Sequence, residues 1–504
     1  MINLKSFLNK IKIDKKYTYL SLAIILATFL LFIFDKGLSI GFLLFYFLTA
    51  VTFFILYKFK KIDKKVCIIF LITFLFHIAA VLFLYFTKFQ ALGGGADFDG
   101  YNQNAIEIAN RFSHGNFSLQ GLFTVHYFPV LIGIIYMFTL PQMIVGQMFV
   151  VWLACISSVL LYFLSIEIGA SKKSSFVVSL IPTIYPSYLY FGSLLLKDTA
   201  IVPLVLVCLL ITIKILKKNT PLKFLLFFIA LTGLIHFRFY IGFAAMFSFI
   251  ICWFLLSVEN KKNKLIYGVI MIIILGFSPL VSGYGYYGIN PLKSFLNKDV
   301  ITTYREVVYA SPSETIQCDN NQEIDNSINA ETGATVKELN LTDVKPANYK
   351  ENSNLSCKKS GSGSSFLVKV GFDNPIKFIK NYFISFVSSI FGPFPWQLKY
   401  LRHIMFLSET FPLYIFLVLI INSVVAKIKK DGFKKLLELY KFTLPILIFF
   451  IIAMAALSLY INNFGIIFRI RIPIFISLLS VLALSLNFDN IFFEKLKKII
   501  RIKL

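Results

Sequence analysis

Apolar runs close to 20 residues long recur along this chain, separated by short stretches rich in lysine. A helix of about 20 residues spans the roughly 30 Å hydrocarbon core while satisfying its own backbone hydrogen bonds. The pattern predicts spans near 18–34, 38–57, 66–86, 143–166, 174–194, 199–217, 265–284, 405–426, 441–461 and 467–487. The run at 224–257 is too long for one span. It breaks at "HFRFY", His236 to Tyr240, where a turn puts Arg238 at an interface. Left at mid-bilayer, that arginine would cost about 2.5–3.5 kcal/mol. Residues 127–140 stop at Pro141 and are short for a span, which predicts an interfacial or re-entrant helix. "FGPFPW" at 391–396 is proline-broken and is expected to dock at the outer surface without crossing. The expected fold class is therefore an all-α polytopic membrane protein with about twelve transmembrane helices, interfacial or re-entrant helices and one larger extracytoplasmic loop.

Composition supports this reading: 58% of the 504 residues are hydrophobic and 57 are Phe, which excludes an ordinary soluble protein. The formal net charge of +25 does not point to nucleic acid, because the lysines cluster between apolar runs. There they report orientation and attract anionic lipid headgroups. The basic patches are residues 1–16, Lys58–Lys65, Lys172-Lys173, Lys214–Lys218, 259–264, Lys427–Lys435 and the C-terminal "KLKKIIRIK". Placing all of them in the cytoplasm sets the topology, with both termini cytoplasmic and the intervening loops outside. The lysine-rich start, with no small-residue cleavage site after the first apolar run, predicts no cleaved signal. The Lys-, Ile- and Asn-rich composition fits an AT-rich bacterium and hence its inner (plasma) membrane.

Four regions follow: 1–65, a cytoplasmic segment and hairpin; 66–285, a transmembrane core with an acidic external loop at 87–126; 286–378, an extracytoplasmic loop; and 379–504, a C-terminal transmembrane region with a cytoplasmic tail. Cys67, Cys155, Cys208 and Cys252 lie in apolar runs and read as small core residues. Cys318 and Cys357 stand alone in the polar loop, where an oxidising exterior permits a Cys318–Cys357 disulfide. In the chain-entropy model such a bridge contributes roughly 3–4 kcal/mol.

This topology gathers the unusual polar residues on one face. In "FQALGGGADFDGYNQNA" (89–105), Asp97 and Asp99 leave the membrane after three glycines. Glu107 and Arg111, Lys197 and Asp198, His236 and Arg238, and Arg469 and Arg471 join them. Arginine grips phosphate bidentately and a carboxylate can take a hydroxyl proton, so the set suits an anionic lipid-linked substrate. Each member has a plainer reading. "DFDG" can be a turn, Lys197-Asp198 a hairpin salt bridge, Arg238 a snorkelling side chain, and Glu107–Arg111 an i,i+4 pair. His114, His126 and His403 lack metal-ligand spacing. Two arginines at the outer end of a span run against the positive-inside rule, and a bound anion accounts for them.

The aspartate pair, "YPSYLYFGSLLLKDTAI" (185–201), the "RFY" turn (238–240) and "FRIRIPIF" (468–475) resemble the GT-C class of polytopic glycosyltransferases, similar to the protein mannosyltransferase and aminoarabinose transferase superfamily. The likeness runs over roughly 80–485. It implies a polyprenyl-phosphate-linked sugar donor, a glycan or lipid-linked acceptor, and an external catalytic base on Asp97, with Asp99 as the substitute. It also implies that Asp198 lines the same cavity and that Arg469, Arg471 and Pro473 form a terminal RxRxP element. Two additional hydrophobic segments precede the acidic loop, and the WWD-type signature of oligosaccharyltransferases is absent, which argues against whole-glycan transfer to asparagine.

The reaction expected is an inverting transfer of one sugar. Asp97 or Asp99 acts as base, and Lys197, Asp198, His236, Arg238, Arg469 and Arg471 act as substrate-binding groups. No metal is required, although the D-x-D spacing of Asp97 and Asp99 permits Mg²⁺ or Mn²⁺. The alternatives are a polysaccharide polymerase or ligase using a polyprenyl-diphosphate donor and, from another class, a flippase or transporter. The last predicts inverted repeats and polar residues through mid-membrane, and neither is evident.

Overall fold

The computed structural model describes residues 26, 28–59, 61–88, 95–120, 127–275, 292–293, 295–303, 374–398, 401–461 and 463–486. The Cys318–Cys357 pairing, His126, most of the 286–378 loop, most of the 18–34 run and the C-terminal tail lie outside these residues.

The described chain is helical. In order, its helices are α1 (Lys36–Lys58), α2 (Lys64–Thr87), α3 (Gly95–Ser113), α4 (Phe128–Phe138), α5 (Met143–Glu167), α6 (Lys172–Ser179), α7 (Ile181–Ile184), α8 (Pro186–Phe191) and α9 (Lys197–Lys217). They continue as α10 (Pro221–Phe237), α11 (Phe239–Leu256), α12 (Lys261–Ile274), α13 (Lys298–Thr303), α14 (Pro375–Phe391), α15 (Leu401–Tyr440), α16 (Leu444–Tyr460), α17 (Phe464–Ile470) and α18 (Ile472–Ser485).

Six helical stretches are long and apolar enough to cross a membrane, or up to seven if the bent pair α17–α18 is one span. One of the six, Phe406–Tyr460, contains both the 405–426 and 441–461 runs, interrupted by Gly432 at φ 80°. This is a polytopic membrane protein. The 174–194 run, expected as a single crossing, is divided into α6, α7 and α8. Pro182 and Pro186 each sit in the first turn of a new helix there, where a missing N–H costs nothing. Residues 127–140 give the 11-residue α4, as their length predicts. The 224–257 run breaks where expected: Arg238 is extended (φ −154°, ψ 94°) between α10 and α11.

Helix ends meet on two levels. On the first, the Tyr162 hydroxyl at the end of α5 donates to Asp63, the N-cap of α2, at 3.0 Å. Lys217 at the end of α9 pairs with Glu167 of α5 at 2.9 Å. Lys223 of α10 donates to Lys214 O at 3.0 Å, and Trp253 of α11 donates to Lys264 O of α12 at 2.9 Å. Ser174 of α6 donates to Leu486 O and Lys427 of α15 donates to Leu484 O at 3.3 Å, so five of the basic patches share one face, as the lysine distribution predicts. Helix α9 carries Asp198 in its first turn and Lys217 in its last. At 1.5 Å per residue these ends lie about 30 Å apart, one bilayer core. Because α10 returns alongside α9, Arg238 comes back to the level of Asp198.

Close packing fixes α3 at that second level. A Cβ on Gly133 of α4 would lie 2.6 Å from Ile108 Cγ2 of α3, so only glycine permits the approach. Ala105 and Ile108 are fully buried there. Of the four cysteines in apolar runs, Cys155, Cys208 and Cys252 are buried, whereas Cys67 is exposed in the first turn of α2.

Candidate functional site

Four helix ends converge at the second level. Asp97 lies in the first turn of α3 and Asp198 in the first turn of α9, positions where a carboxylate complements the helix dipole. Arg238 occupies the α10–α11 break, and Arg469 the last turn of α17, just before the 53° bend.

Asp198 is the hub. Its Oδ1 accepts from Arg238, and its Oδ2 accepts from Arg469 Nε at 2.5 Å. The same Arg469 reaches Asp97 Oδ2 through a terminal nitrogen. The second fork of Arg238 donates to the Tyr240 hydroxyl at 2.7 Å. Lys197 interacts electrostatically with all four charges and is itself buried. Tyr101, one turn beyond Asp97, adds a buried phenol whose pKa burial pushes up, so it stays a neutral donor.

The two arginines carry permanent charge and balance the two carboxylates. Exposure is graded. The side chains of Asp198 and Arg238 are 4% and 9% exposed, those of Arg469 and Asp97 13% and 35%. Asp97 is thus the open rim of a closed cluster, and its Oδ1 accepts no hydrogen bond from the described residues. An anion with an attached hydroxyl acceptor would meet Asp97 and Arg469 first.

Of the candidates named from sequence, Asp97, Lys197, Asp198, Arg238 and Arg469 come together, whereas Asp99, His236 and Arg471 do not join them. Residues two apart on a helix diverge by about 200°, so α3 turns Asp99 away from Asp97. Asp99 is exposed; partial burial pushes its pKa up, opposed by Lys88. No group of three or more His, Cys, Asp or Glu side chains placed to hold a metal ion occurs among the described residues. His236 packs edge-on against Tyr127 at 4.7 Å, with Nδ1 2.8 Å from Thr232 O. Glu107 and Arg111 pair with each other at 2.6 Å, the plainer of their two readings.

Arg471 belongs to a second polar cluster. It lies 4.0 Å from Glu409 of α15, donates to Ser389 O at 3.2 Å and covers the Phe468 ring at 3.5 Å. Glu409 in turn accepts from the Ser187 backbone N–H. The bend between α17 and α18 thus sends Arg469 and Arg471 to different sites.

Glu409, Tyr101 and Tyr240 were missed in the sequence. Glu409 carried a signal, since an ionisable residue within an apolar run is functional by default. The tyrosines carried none. The chain matches no protein-family model, and no curated protein matches it.

Proposed function

We propose that this protein is a membrane glycosyltransferase. It moves one sugar from a polyprenyl-phosphate-linked donor to a glycan or lipid-linked acceptor, in the manner of the GT-C class, with about twelve crossings by span length. The observation that carries the reading is the bridging of Asp198, Arg469 and Asp97. An arginine pair fitted for phosphate is held against a carboxylate open to an incoming hydroxyl. The face opposite the lysines is extracytoplasmic by the positive-inside rule, in a bacterial plasma membrane with both termini inside.

In the resting cluster Arg469 ties up the Asp97 carboxylate. The donor phosphate competes for Arg469 and Arg238, because planar guanidinium forks bind phosphate in two-point fashion. Asp97 is then released to take the acceptor hydroxyl proton as the oxygen attacks the anomeric carbon. The bond from that carbon to the phosphate oxygen breaks with inversion. The charge growing on the leaving phosphate falls on Arg469 and Arg238, where it is stabilised most in the transition state. Asp198 holds both arginines in place throughout.

The test is transfer by the purified protein in vesicles. Asp97→Asn keeps the size and can still accept from Arg469 but cannot take the proton. Loss of transfer with normal folding is expected, and undiminished turnover removes Asp97 from the mechanism.

A further inference from the structure

A cavity of about 270 Å³ lies between α15 and α18, with Glu409, Arg471 and Tyr185 at its polar end. It is nearly twice the size of an apolar cavity of about 150 Å³ that holds benzene. Its walls run from Ser408 to Ile420 on α15 and from Arg471 to Leu482 on α18, about 16–18 Å along each axis. Apart from the polar end, the walls are aliphatic and aromatic: Leu413, Phe416, Phe475, Leu479 and Leu482 among them. Ile184, on the rim, is 63% exposed.

The depth is set by α18. Its far end meets the lysine face, where Lys427 donates to Leu484 O at 3.3 Å. Thirteen residues separate Leu484 from Arg471, about 20 Å. The polar end therefore approaches the opposite interface, and the apolar walls descend into the hydrocarbon layer, as a lipid does.

At that end Arg471 Nε and Glu409 Oε2 are buried without a hydrogen-bond partner, in residues 1% exposed. Unsatisfied polar atoms beside a space of this size call for a ligand group carrying both donor and acceptor. The two charges cancel, so the end has no surplus for a phosphate. Left empty, the walls would also lose their dispersion contacts.

We propose that this cavity binds one hydrocarbon chain of a neutral membrane lipid, a diacylglycerol, with the glycerol hydroxyl and ester end against Glu409 and Arg471. The assignment stands whether or not the Asp97 cluster transfers sugar.

The full-length protein is reconstituted in phosphatidylcholine–phosphatidylglycerol vesicles containing a trace of diacylglycerol with a diazirine on one acyl chain. After illumination, adducts should map to the walls, at Leu413, Phe416, Leu479 or Leu482. Unlabelled diacylglycerol should compete, and phosphatidylglycerol with the same chains should not. Leu479→Trp and, separately, Leu413→Trp fill the space, and labelling should fall about tenfold in each, as overfilling a packed site predicts. Adducts spread over lipid-facing helices, with unchanged yield in both variants, would overturn the slot. Equal competition by phosphatidylglycerol would overturn the neutral head, and displacement by polyprenyl phosphate alone would give the cavity to the donor instead. If either variant fails to fold, the competition on the wild-type protein decides.

Discussion

Removing the Asp198 carboxylate should destabilise the protein more than removing any other charge of the cluster. Its side chain is 4% exposed and faces Arg238 and Arg469 together. Asp198→Ala takes from Arg238, itself 9% exposed, the carboxylate that its guanidinium pairs with, while Arg469 keeps Asp97. Stripping one partner from a buried pair costs about 3–5 kcal/mol, because the remaining charge stays desolvated. Asp97→Ala should cost less, since Asp97 is 35% exposed and water can replace it around Arg469. The assay is equilibrium unfolding of the purified protein in mixed micelles. The double variant Asp198→Ala with Arg238→Leu should recover part of the loss, a coupling of about 0.5–3 kcal/mol between contacting residues. A single-variant loss within about 0.5 kcal/mol of wild type, the range of an ordinary surface change, would refute the buried hub. Strict additivity in the double variant would refute the pairing.

Asp99→Asn should retain transfer where Asp97→Asn loses it, because only Asp97 meets Arg469; equal loss in both, read by turnover, would contradict the division. Arg469→Lys should weaken donor binding, measured with polyprenyl phosphate, because one ammonium cannot reach both Asp198 and Asp97 as the guanidinium does. Arg471→Lys should leave that affinity unchanged. Gly133→Ala should lower stability by about 1–3 kcal/mol and reduce transfer, because the added methyl forces α3 away from α4; an unchanged unfolding midpoint would show that the helices separate freely. Cys67, exposed in the first turn of α2, should label only from the lysine face in a variant carrying Ser at positions 318 and 357.

The sequence carried the helical class, the shared lysine face, the break at Arg238 and the five charges that meet, because span length and charge asymmetry are read residue by residue. It did not carry which of two acids or two arginines points inward. Asp97 and Asp99 separate only once the start of α3 is known. Arg469 and Arg471 separate only because the chain bends between α17 and α18. The division of 174–194 was legible in Pro182 and Pro186, but the apolar length masked it. Glu409 was equally visible as a lone acid in a span. Its partnership with Arg471, 62 positions away, depends on the packing of α15 against α18.

The central claim is that the Asp97–Arg469–Asp198 cluster discharges a polyprenyl-phosphate-linked sugar. The most direct measurement is release of polyprenyl phosphate from a panel of hexosyl and pentosyl donors, by wild-type protein and by Asp97→Asn, in vesicles supplied with cell-envelope glycan and lipid acceptors. Release from at least one donor by the wild type, lost in the variant while donor binding persists, is the predicted result. Release that persists undiminished in Asp97→Asn, or a folded wild type that binds none of the donors and discharges none, would contradict it.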